Sequence, residues 1–576
     1  MSSEASFTEG ERAPEGGRNF IEEIVLRDMQ AGKNGGRVQF RFPPSPSGYL
    51  HIGHAKAILL NWGLSQRFGG RFVLRLDDSN PLEREDEGEA SFVEGIIRDL
   101  KWLVESDEVE VAYASDYFET VLHDYTRKLL REGTAYICSL SADEMRTQRG
   151  TSHDPGVNSP YRSRSSEENL ALYERMLAGE FPEGTHCLRL IGDMNDPNIN
   201  HRDPVLARIM HTPHLRTGTR WPVYPTYNYI HGYSDHLEGT THSLCSLEFR
   251  ELNPLYNRLL DLIDADPANR TNQYEFSRLN LSHTVTSKRK VKRLVRAGLV
   301  DGFDDPRLFT LSALRRRGAS PKALKAFIES LGLTTNNNAI TEPEVLDSFL
   351  RKDLEVHAPR AMGILDPVPL YIDNFDALNA PEAFQLPCHP SDESFGTRSV
   401  PFSGQLWIER ADVWAEEDPP NRKWFRLAEG REVRLRGAAI IRVERIIKDA
   451  EGLVTAVHCT ADPESLGGRA ADGRKIKGTV TWVSAAEAIA ADVLLYARLF
   501  TSATPGADRP LEEDVDPNSA PRTRAYLEAS LRDADSARVY QFERQGYFKL
   551  DSAEERPVWI RTVTLKDRFM KKKGQR

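Results

Sequence analysis

Two histidines, His51 and His54, are the first side chains whose type and spacing could do chemistry. The prolines and glycine of residues 42–50 end a strand and form a turn before them, because proline cannot donate to a continuing ladder. A helix then begins, and its first N–H groups and dipole favour an anion such as a triphosphate. Residues at i and i+3 share a helix face, so both imidazoles would point toward that anion. The neighbouring sequence offers no third ligand at suitable spacing, which argues against a metal site.

A second candidate group is the pair Ser287 and Lys288, far downstream within the basic stretch 285–296. An alternative interpretation is a solvated basic helix face, and His-Ile-Gly-His alone could occur by chance at a helix N-terminus. The two motifs together, in this order, resemble the HIGH and KMSKS signatures of class I aminoacyl-tRNA synthetases. That resemblance implies imidazoles on the ATP phosphates and a mobile Lys288 ammonium that stabilises the charge building on pyrophosphate. Thr286 stands where close relatives have methionine.

Length and composition set broad limits on the fold. At 576 residues the chain has room for several domains of ~150 residues each. Its 39% hydrophobic and 28% charged content is that of an ordinary globular protein. No apolar run approaches the roughly 20 residues that cross a membrane, and residues 1–17 lack the apolar core of a secretory signal. We therefore expect no membrane association and a disordered N-terminal tail.

Cysteine usage and charge bear on the compartment and the partners. The five cysteines are scattered and form no CxxC pair, which predicts a reduced, cytoplasmic compartment and no zinc knuckle. The net charge of −10 argues weakly against nucleic-acid binding. Basic clusters at 288–296, 315–317 and 571–573 could still form a local patch, so charge does not decide whether nucleic acid binds.

The N-terminal part of the chain predicts half of a doubly wound, nucleotide-binding α/β sheet. Strands are expected at 38–42 and 71–76, each followed by a helix, at 54–68 and 89–103. Ligands of such sheets bind beyond the carboxyl ends of the strands, which places Asp77 at the candidate site. The alternative for Asp77 is a helix or turn cap.

Downstream, the pattern changes three times. Residues 122–217 break into irregular pieces rich in proline and arginine, which we interpret as an insertion before the sheet resumes at residue 221. Residues 304–351 are expected to be largely helical. From about residue 358, short alternating runs split by Gly, Asp and Pro predict β-barrels or a sandwich.

Further segments extend the resemblance along most of the chain, namely 41–54, 74–81, 224–248, 274–290, 304–318, 358–362 and 541–548. In order and spacing, residues from about 19 to 566 are similar to glutaminyl-tRNA synthetases. The fold this implies is multidomain α/β plus all-β: a split Rossmann-type catalytic domain with an acceptor-stem insertion, a helical domain and two C-terminal β-barrels. Expected bounds are 1–34 for a polar tail and short helix, 35–121 and 219–278 for the catalytic halves, 122–218 for the insertion, 279–355 for the KMSKS-like loop and helical domain, and 356–576 for the barrels. The reaction implied is formation of glutaminyl-adenylate from glutamine and ATP, then transfer to the terminal ribose of the cognate tRNA.

The resemblance also assigns site residues, with catalytic roles for His51, His54 and Lys288. Matching the family's ATP site are Ser45, Pro46, Ser47, His51, Ile52, Gly53, His54, Ala55, Lys56, Ala57, Ser246, Arg278, Leu279, Thr286, Ser287 and Lys288. Matching its glutamine site are Arg41, Asp77, Tyr227, Cys245 and Gln273, with Asp77 on the substrate ammonium and the Tyr227 hydroxyl on the side-chain amide. Matching its tRNA contacts are Leu140, Glu251, Arg360, Lys423, Arg426 and Gln541. The implied partners are tRNA(Gln), L-glutamine and ATP with Mg²⁺, bound by a monomer without a structural metal.

Two of these residues have an ordinary alternative. Tyr227 could be a core aromatic, and Leu140, the implied wedge that opens the first acceptor-stem base pair, could be a core leucine. Arg360, Arg426 and Gln541 have side chains that suit splayed, single-stranded anticodon bases, whose edges are free to bond.

Three positions depart from the glutaminyl pattern, and they keep two rival functions open. Ser45 stands where glutaminyl enzymes usually have glutamate and is more like the glutamyl enzymes; Asn228 replaces an aspartate, and Lys423 a glutamine. Glutamine is favoured because Cys245 stands where glutamyl enzymes present an arginine, and because barrels replace the helical anticodon module of most bacterial glutamyl enzymes. The rivals are a barrel-containing glutamyl-tRNA synthetase and a catalytically impaired tRNA-binding paralogue.

Overall fold

The computed structural model describes residues 18–82, 92–336, 339–414, 416, 424–551 and 558–566. The chain forms two compact units, called below the N-terminal unit (Met1–Asn280 with Ile328–Ile340) and the C-terminal unit (Leu281–Phe327 with Thr341–Arg576). The predicted tail at 1–17, the basic cluster at 571–573 and the predicted tRNA contact Lys423 lie outside the described residues. The six-part domain division remains a prediction.

Helices occur in both units. In chain order, those of the described residues are α1 (Phe20–Gln30), α2 (Ile52–Arg67), α3 (Phe92–Val104), α4 (Thr126–Arg131), α5 (Ala142–Arg149), α6 (Ser166–Leu177), α7 (Tyr227–Glu238), α8 (Asn253–Leu262), α9 (Lys288–Arg296), α10 (Leu311–Arg317), α11 (Pro321–Ser330) and α12 (Glu344–His357). No helix of the described part of the chain is long and apolar enough to cross a membrane.

Strands also occur in both units. They are β1 (Gln39–Phe42), β2 (Arg71–Leu76), β3 (Glu110–Tyr113), β4 (Ala135–Cys138), β5 (Cys187–Leu190), β6 (Val205–Ile209), β7 (Val223–Pro225), β8 (His242–Ser246), β9 (Asn272–Phe276), β10 (Asn280–Leu281), β11 (Ile340–Thr341), β12 (Arg360–Ala361), β13 (Gly363–Ile364), β14 (Pro367–Ile372), β15 (Ala383–Pro387), β16 (Thr397–Pro401), β17 (Gln405–Glu409), β18 (Glu432–Leu435), β19 (Ile440–Lys448), β20 (Val454–Ala461), β21 (Thr479–Val480), β22 (Trp482–Ser484), β23 (Ile489–Leu494), β24 (Arg522–Leu527), β25 (Val539–Phe542), β26 (Gly546–Asp551) and β27 (Val558–Thr564).

The nucleotide-binding half predicted from the sequence is present in the N-terminal unit. Strands β1, β2 and β3 pair in parallel in that order, and β8 and β9 form a second parallel pair. The second pair lies beside β1: Thr241, which directly precedes β8, donates its N–H to the carbonyl of Gln39 in β1 (3.0 Å). Helices α2 and α3 connect the parallel strands, as such crossovers require. Helix α2 begins two residues earlier than predicted, at Ile52, because the His51 side chain caps it.

The insertion is more regular than its sequence indicated. Strands β4 to β7 form a four-stranded antiparallel sheet, packed with α4 and α6 around a shared apolar core. Each strand has only three to five residues and long polar connections, so no periodic pattern reveals it in the sequence. Strand β7 belongs to this sheet although it follows residue 219, where the second catalytic half was expected to begin.

The C-terminal unit confirms the predicted pair of β domains. One seven-stranded, barrel-like sheet has the order β21-β18-β19-β20-β14-β17-β22, and the other β12-β25-β26-β27-β23-β24-β13. The second sheet takes its two outer strands from residues 360–364 and the rest from residues 489–564. The chain therefore starts one β domain, builds the other, and returns to complete the first.

Candidate active site

The amino end of α2 carries the two histidines in contact with each other. The His51 side chain caps the helix: its Nδ1 accepts from the Gly53 N–H (3.1 Å), while the His51 N–H donates to Nδ1 of His54 (3.1 Å). The rings stack with centroids 3.8 Å apart. A Cβ on Gly53 would lie 2.9 Å from the His51 ring, so glycine is what allows the ring to fold over the helix end.

These contacts determine which ring nitrogens can donate. Because Nδ1 of each imidazole accepts a backbone N–H, a neutral ring must carry its proton on Nε2. Burial lowers the pKa of His54 to about 4, and burial together with the neighbouring His54 holds the pKa of His51 well below its usual value. Both rings are therefore neutral near pH 7, each with one N–H donor beside a helix N-terminus that attracts anions.

The carboxyl end of β2 presents two adjacent carboxylates in different roles. One oxygen of Asp77 accepts from the Ser79 hydroxyl (2.7 Å) and N–H (3.3 Å), which is the turn-capping geometry that the sequence left open as an alternative. Asp78 is structural, since it holds the N–H and hydroxyl of Ser115 at the end of β3 (2.8 and 2.7 Å). Burial raises the pKa of Asp77, although the Ser79 hydrogen bonds and the Arg75 charge oppose it.

A fully buried ion-pair network lies beneath this edge. Arg41 of β1 donates to Asp235 of α7 through Nε (2.9 Å) and Nη2 (3.1 Å), and Arg75 of β2 donates to the same carboxylate (2.6 Å) and to Glu238 (3.2 Å). Arg41 also donates to the Leu244 carbonyl in β8 (2.9 Å), so it bridges the two parallel sheets. Burial opposes ionisation of Asp235, but the two guanidinium groups hold the pKa of its carboxyl well below the usual range.

Beside this network, the predicted amide-reading tyrosine is half-buried at the start of α7. The Tyr227 ring stacks on His231 (4.7 Å between centroids) and packs against Phe249 (5.6 Å). Its hydroxyl has no hydrogen-bond partner among the described residues, and its oxygen is not fully buried. Burial raises the pKa of Tyr227, and the charges of Arg41 and Asp77 act on it as well.

Cys245 and Gln273 complete the group predicted around Tyr227. Burial raises the pKa of the Cys245 thiol to about 12, so this side chain is neutral, and its Sγ lies 3.9 Å from the Tyr274 carbonyl. The Gln273 amide donates to Glu275 (3.0 Å) and to the Phe249 carbonyl (3.4 Å). The structure thus brings Tyr227 close to Cys245 and Arg41, and Tyr227 and Gln273 line the same small cavity.

Further predicted ATP contacts lie on neighbouring segments of the N-terminal unit. Ser246, at the carboxyl end of β8, donates to Glu248 (2.9 Å), and Arg278 donates to the other oxygen of that carboxylate (3.3 Å). Ser45 donates to Ser47 (2.9 Å) in the turn after β1. The ATP-binding roles of all these residues remain predictions.

Not every residue of the predicted ATP set faces the same way. Lys56 is buried on α2, and its ammonium donates to the carbonyl (2.6 Å) and hydroxyl (3.2 Å) of Ser277. Burial lowers the pKa of Lys56. Ile52 and Ala55 are also buried, while Pro46, Ala57 and Leu279 have no polar side-chain group that a hydrogen bond could orient. Lys56 therefore anchors the helix to the segment after β9 in this structure.

The Ser-Lys motif lies in the C-terminal unit. Ser287 precedes α9 without capping it through its side chain, Lys288 is the first helical residue, and Thr286 is exposed. The next turn is fixed in place, because Lys290 donates to the Pro505 carbonyl (2.8 Å) and Arg293 pairs with Glu512. The loop itself thus ends at an anchored helix.

The predicted anticodon contacts divide into two places on the C-terminal unit. Arg360 of β12 and Gln541 of β25 are direct partners across neighbouring strands, and Gln541 is in turn paired with Tyr547 of β26. Arg426 contacts the buried carboxylate of Asp412 (3.0 Å). Two of the three described candidates therefore lie in one row across adjacent strands.

The two predicted contacts in the N-terminal unit have different surroundings. Leu140 is only 8% exposed and packs with Tyr136, Cys138 and Cys187, which is the environment of a core leucine. Glu251 is exposed, and its carbonyl accepts from Asn198 (2.7 Å). Their tRNA-binding roles remain predictions.

Sequence reasoning missed Asp235, which has four hydrogen-bond partners at the site. It accepts from Arg41, Arg75, Ser243 (2.8 Å) and Tyr256 (2.9 Å). The available signal was an arginine in the middle of each of two apolar strands, Gln-Phe-Arg-Phe and Val-Leu-Arg-Leu, since a buried arginine requires a carboxylate. Among the described residues, no cluster of three His, Cys, Asp or Glu side chains could hold a metal ion.

Comparison with known proteins matches nearly the whole chain. Residues 37–356 match the family described as tRNA synthetases class I (E and Q), catalytic domain, and residues 358–462 and 479–551 match its anti-codon binding domains. Curated relatives include the glutamine–tRNA ligase of Vibrio cholerae, 48% identical over 96% of this chain and 98% of the relative. Those of Vibrio parahaemolyticus and Escherichia coli are each 47% identical, over 97% and 96% of this chain and 98% of each relative.

Proposed function

We propose, from the premise that the chain belongs to the class I tRNA synthetases (E and Q), that it attaches glutamine to tRNA in an ATP-dependent reaction. The relatives named as glutamine–tRNA ligases match over nearly their full length, so every part that reaction needs has a counterpart in this chain. Amino-acid activation belongs to the N-terminal unit and the Ser-Lys loop, and tRNA recognition also involves the β domains.

The observation that carries the choice of glutamine is the Tyr227 hydroxyl, which lacks a protein partner within the described chain and lies near the neutral Cys245 thiol and near an Arg41 that is already paired. Cys245 offers no charge. Arg41, whose charge acts on both Tyr227 and Cys245, is already paired with Asp235, and the neighbouring Arg75 is paired with Asp235 and Glu238. A glutamate side chain buried here would lack a counter-charge, whereas a glutamine amide can hydrogen-bond without one.

For the activation of glutamine, we propose the following roles for these groups. The free side of Asp77 pairs with the substrate ammonium, which orients the substrate carboxylate toward ATP. ATP phosphates lie at the amino end of α2, where the helix N–H groups and the Nε2–H donors of His51 and His54 stabilise them. A substrate carboxylate oxygen attacks the α-phosphorus, and pyrophosphate leaves as Lys288 stabilises its charge. Mg²⁺ arrives with ATP and neutralises phosphate charge.

Transfer to tRNA completes the reaction. A hydroxyl of the terminal ribose attacks the carbonyl carbon of glutaminyl-adenylate, and AMP leaves. We place the anticodon against the row that contains Arg360 and Gln541 and against Arg426, whose side chains suit splayed bases. The wedge role of Leu140 requires that side chain to leave its apolar cluster, so it belongs to the tRNA-bound state.

Exchange of labelled pyrophosphate into ATP tests the activation step directly. We expect exchange that depends on glutamine. His54→Ala and Lys288→Ala should each slow it by about 10²–10³-fold, since one donor to developing phosphate charge contributes about 2.7–4 kcal/mol. Arg289→Ala, which removes the exposed cation next to Lys288, is the matched control and should have little effect. Unchanged exchange in Lys288→Ala would refute the assignment of this loop.

A further inference from the structure

Two free cysteines lie directly opposite each other in the insertion sheet. Cys138 ends β4 and Cys187 begins β5, and the two are register partners of this antiparallel pair. The Ile191 N–H donates to the Thr134 carbonyl (2.9 Å), so every second pair from there, including Cys138 and Cys187, is a hydrogen-bonded pair. The Cα atoms of such a pair are about 5.5 Å apart, in the middle of the range that a disulfide spans.

Cys138 also faces a buried cation. The Arg189 guanidinium is 2% exposed, and its Nη1 donates to Sγ of Cys138 (3.8 Å) while its Nε donates to the Asp203 carbonyl (2.7 Å). Within the described residues no carboxylate forms an ion pair with Arg189. A buried guanidinium without a counter-ion is costly, and a thiolate at Cys138 would supply the missing negative charge.

Other groups support a thiolate at the same sulfur. The Cys187 thiol is the largest influence that lowers the pKa of Cys138, and the Leu140 N–H and the Ser159 hydroxyl (3.6 Å) act in the same direction. Cys459 provides the contrast within the same chain: its thiol contacts the Tyr371 carbonyl (3.3 Å), and burial raises its pKa. Cys138 and Cys459 are equally buried, so their difference lies in charge and hydrogen bonding.

A cavity lies beside residues that contact this pair. An open cavity of about 350 Å³ is lined by Met145, Arg146 and Arg189, among others. Sγ of Cys187 lies 3.6 Å from Sδ of Met145, and Arg189 contacts Cys138, so residues that line the cavity contact both cysteines. Hydrogen peroxide is small enough to enter such a cavity.

We propose that Cys138 and Cys187 form a redox modification site, in which a peroxide oxidises them to a cross-strand disulfide. The Cys138 thiolate attacks one peroxide oxygen, an S–O bond forms, the O–O bond breaks, and the leaving hydroxide is protonated to water. The Cys187 sulfur then attacks the sulfenic sulfur, an S–S bond forms, and the hydroxyl leaves with the thiol proton as a second water. Two thiols and one peroxide thus give one disulfide and two waters. The site does not depend on the proposed function.

Peptide mapping of the full-length protein tests the site. The reduced protein is treated with hydrogen peroxide, blocked with N-ethylmaleimide, denatured, and digested without reduction. We expect a peptide pair joined through Cys138 and Cys187 that dithiothreitol separates, while Cys459 stays a thiol. In Cys187→Ser, we expect a sulfenic acid at Cys138 that dimedone traps. Disulfide formation no faster than loss of the Cys459 thiol, in protein that keeps its native circular dichroism, would overturn the proposal.

The pH dependence tests the role of the cation. A thiol that is already ionised reacts at nearly constant rate between about pH 6 and about pH 8, whereas an ordinary thiol gains about tenfold per pH unit. We expect constant rates for Cys138 in the wild type and a rising rate in Arg189→Gln. Since Arg189 is buried and its variant can fail to fold, Ser159→Ala, which removes another group that lowers the pKa of Cys138, gives a second test with the same expected direction. A rate in the wild type that rises like that of an ordinary thiol would refute the thiolate.

Discussion

Replacing Asp235 with asparagine should lower the stability of the N-terminal unit more than neutralising a carboxylate of an exposed ion pair does. The substitution keeps the shape of the side chain but removes the carboxylate charge that Arg41 and Arg75 share, and its amide nitrogen would face one of the two guanidinium groups. All three side chains are at most 2% exposed. Breaking a buried ion pair by removing one partner costs about 3–5 kcal/mol, because it leaves charge buried and uncompensated.

Hydrogen exchange with mass spectrometry measures this cost where it arises. Amides of β1, β2 and α7 should exchange roughly 150-fold to 5,000-fold faster in Asp235→Asn, since the opening free energy falls by the energy of the broken network. The control is Glu110→Gln, which neutralises an exposed carboxylate in β3 that pairs with Arg71 of β2. Such surface pairs contribute about 0–1 kcal/mol to the free energy of unfolding. Equal exchange in the two variants would refute the buried network as the support of the site.

The same substitution has a second consequence for specificity. With Asp235 neutral, Arg41 would lose its ion-pair partner and Arg75 would keep Glu238, so the region near Tyr227 would gain positive charge. We therefore expect Asp235→Asn to weaken discrimination against glutamate.

The contribution of Asp235 to stability depends on pH. Because the pKa of Asp235 is depressed in the folded protein, this contribution is fully present above the unfolded pKa of about 3.9 and is lost as the pH falls through the folded pKa.

Three further outcomes follow from the site. Cys245→Arg should shift preference toward glutamate by about tenfold in side-by-side activation assays, because it supplies the missing cation, whereas Cys388→Arg, a change of the same type in the C-terminal unit, should not. Folding lowers the pKa of His54 from 6.5 to about 4, so as the pH falls the unfolded chain binds this proton before the folded protein does. Thermal stability should therefore decrease as the pH is lowered from 6.5 to about 4, and it should decrease less in His54→Gln. Elemental analysis of the purified protein should find no stoichiometric zinc, and stoichiometric zinc would contradict the expectation of no structural metal.

Local chemistry made the first half of the site predictable from the sequence. The prolines and Gly48 force a turn after β1, and the His-Ile-Gly-His run starts a helix at that turn, so the paired imidazoles follow from neighbouring residues. Asp77 likewise follows from the end of an apolar strand. What could not be predicted is which distant carboxylate neutralises the arginines, because Asp235 is 194 residues from Arg41 in sequence.

The β domains show the same limit. Alternating runs indicated short strands, but not that β12 and β13 would pair with β25 and β24, which lie far downstream. The alternation of apolar and polar residues indicates which face of a strand is buried, but it does not indicate which other strand pairs with it. The insertion sheet was missed for a related reason, since strands as short as Cys187–Leu190 give too few alternations to detect.

Aminoacylation of total tRNA with labelled glutamine and with labelled glutamate, side by side, tests the central claim most directly. We predict that glutamine alone is attached, because the Tyr227 hydroxyl and the neutral Cys245 suit an amide and leave a carboxylate without a counter-charge. Attachment of glutamate would contradict the account and favour the glutamyl enzyme, with Ser45 as its earliest sign in the sequence. Attachment of neither amino acid would contradict it in favour of a tRNA-binding protein that has lost catalysis.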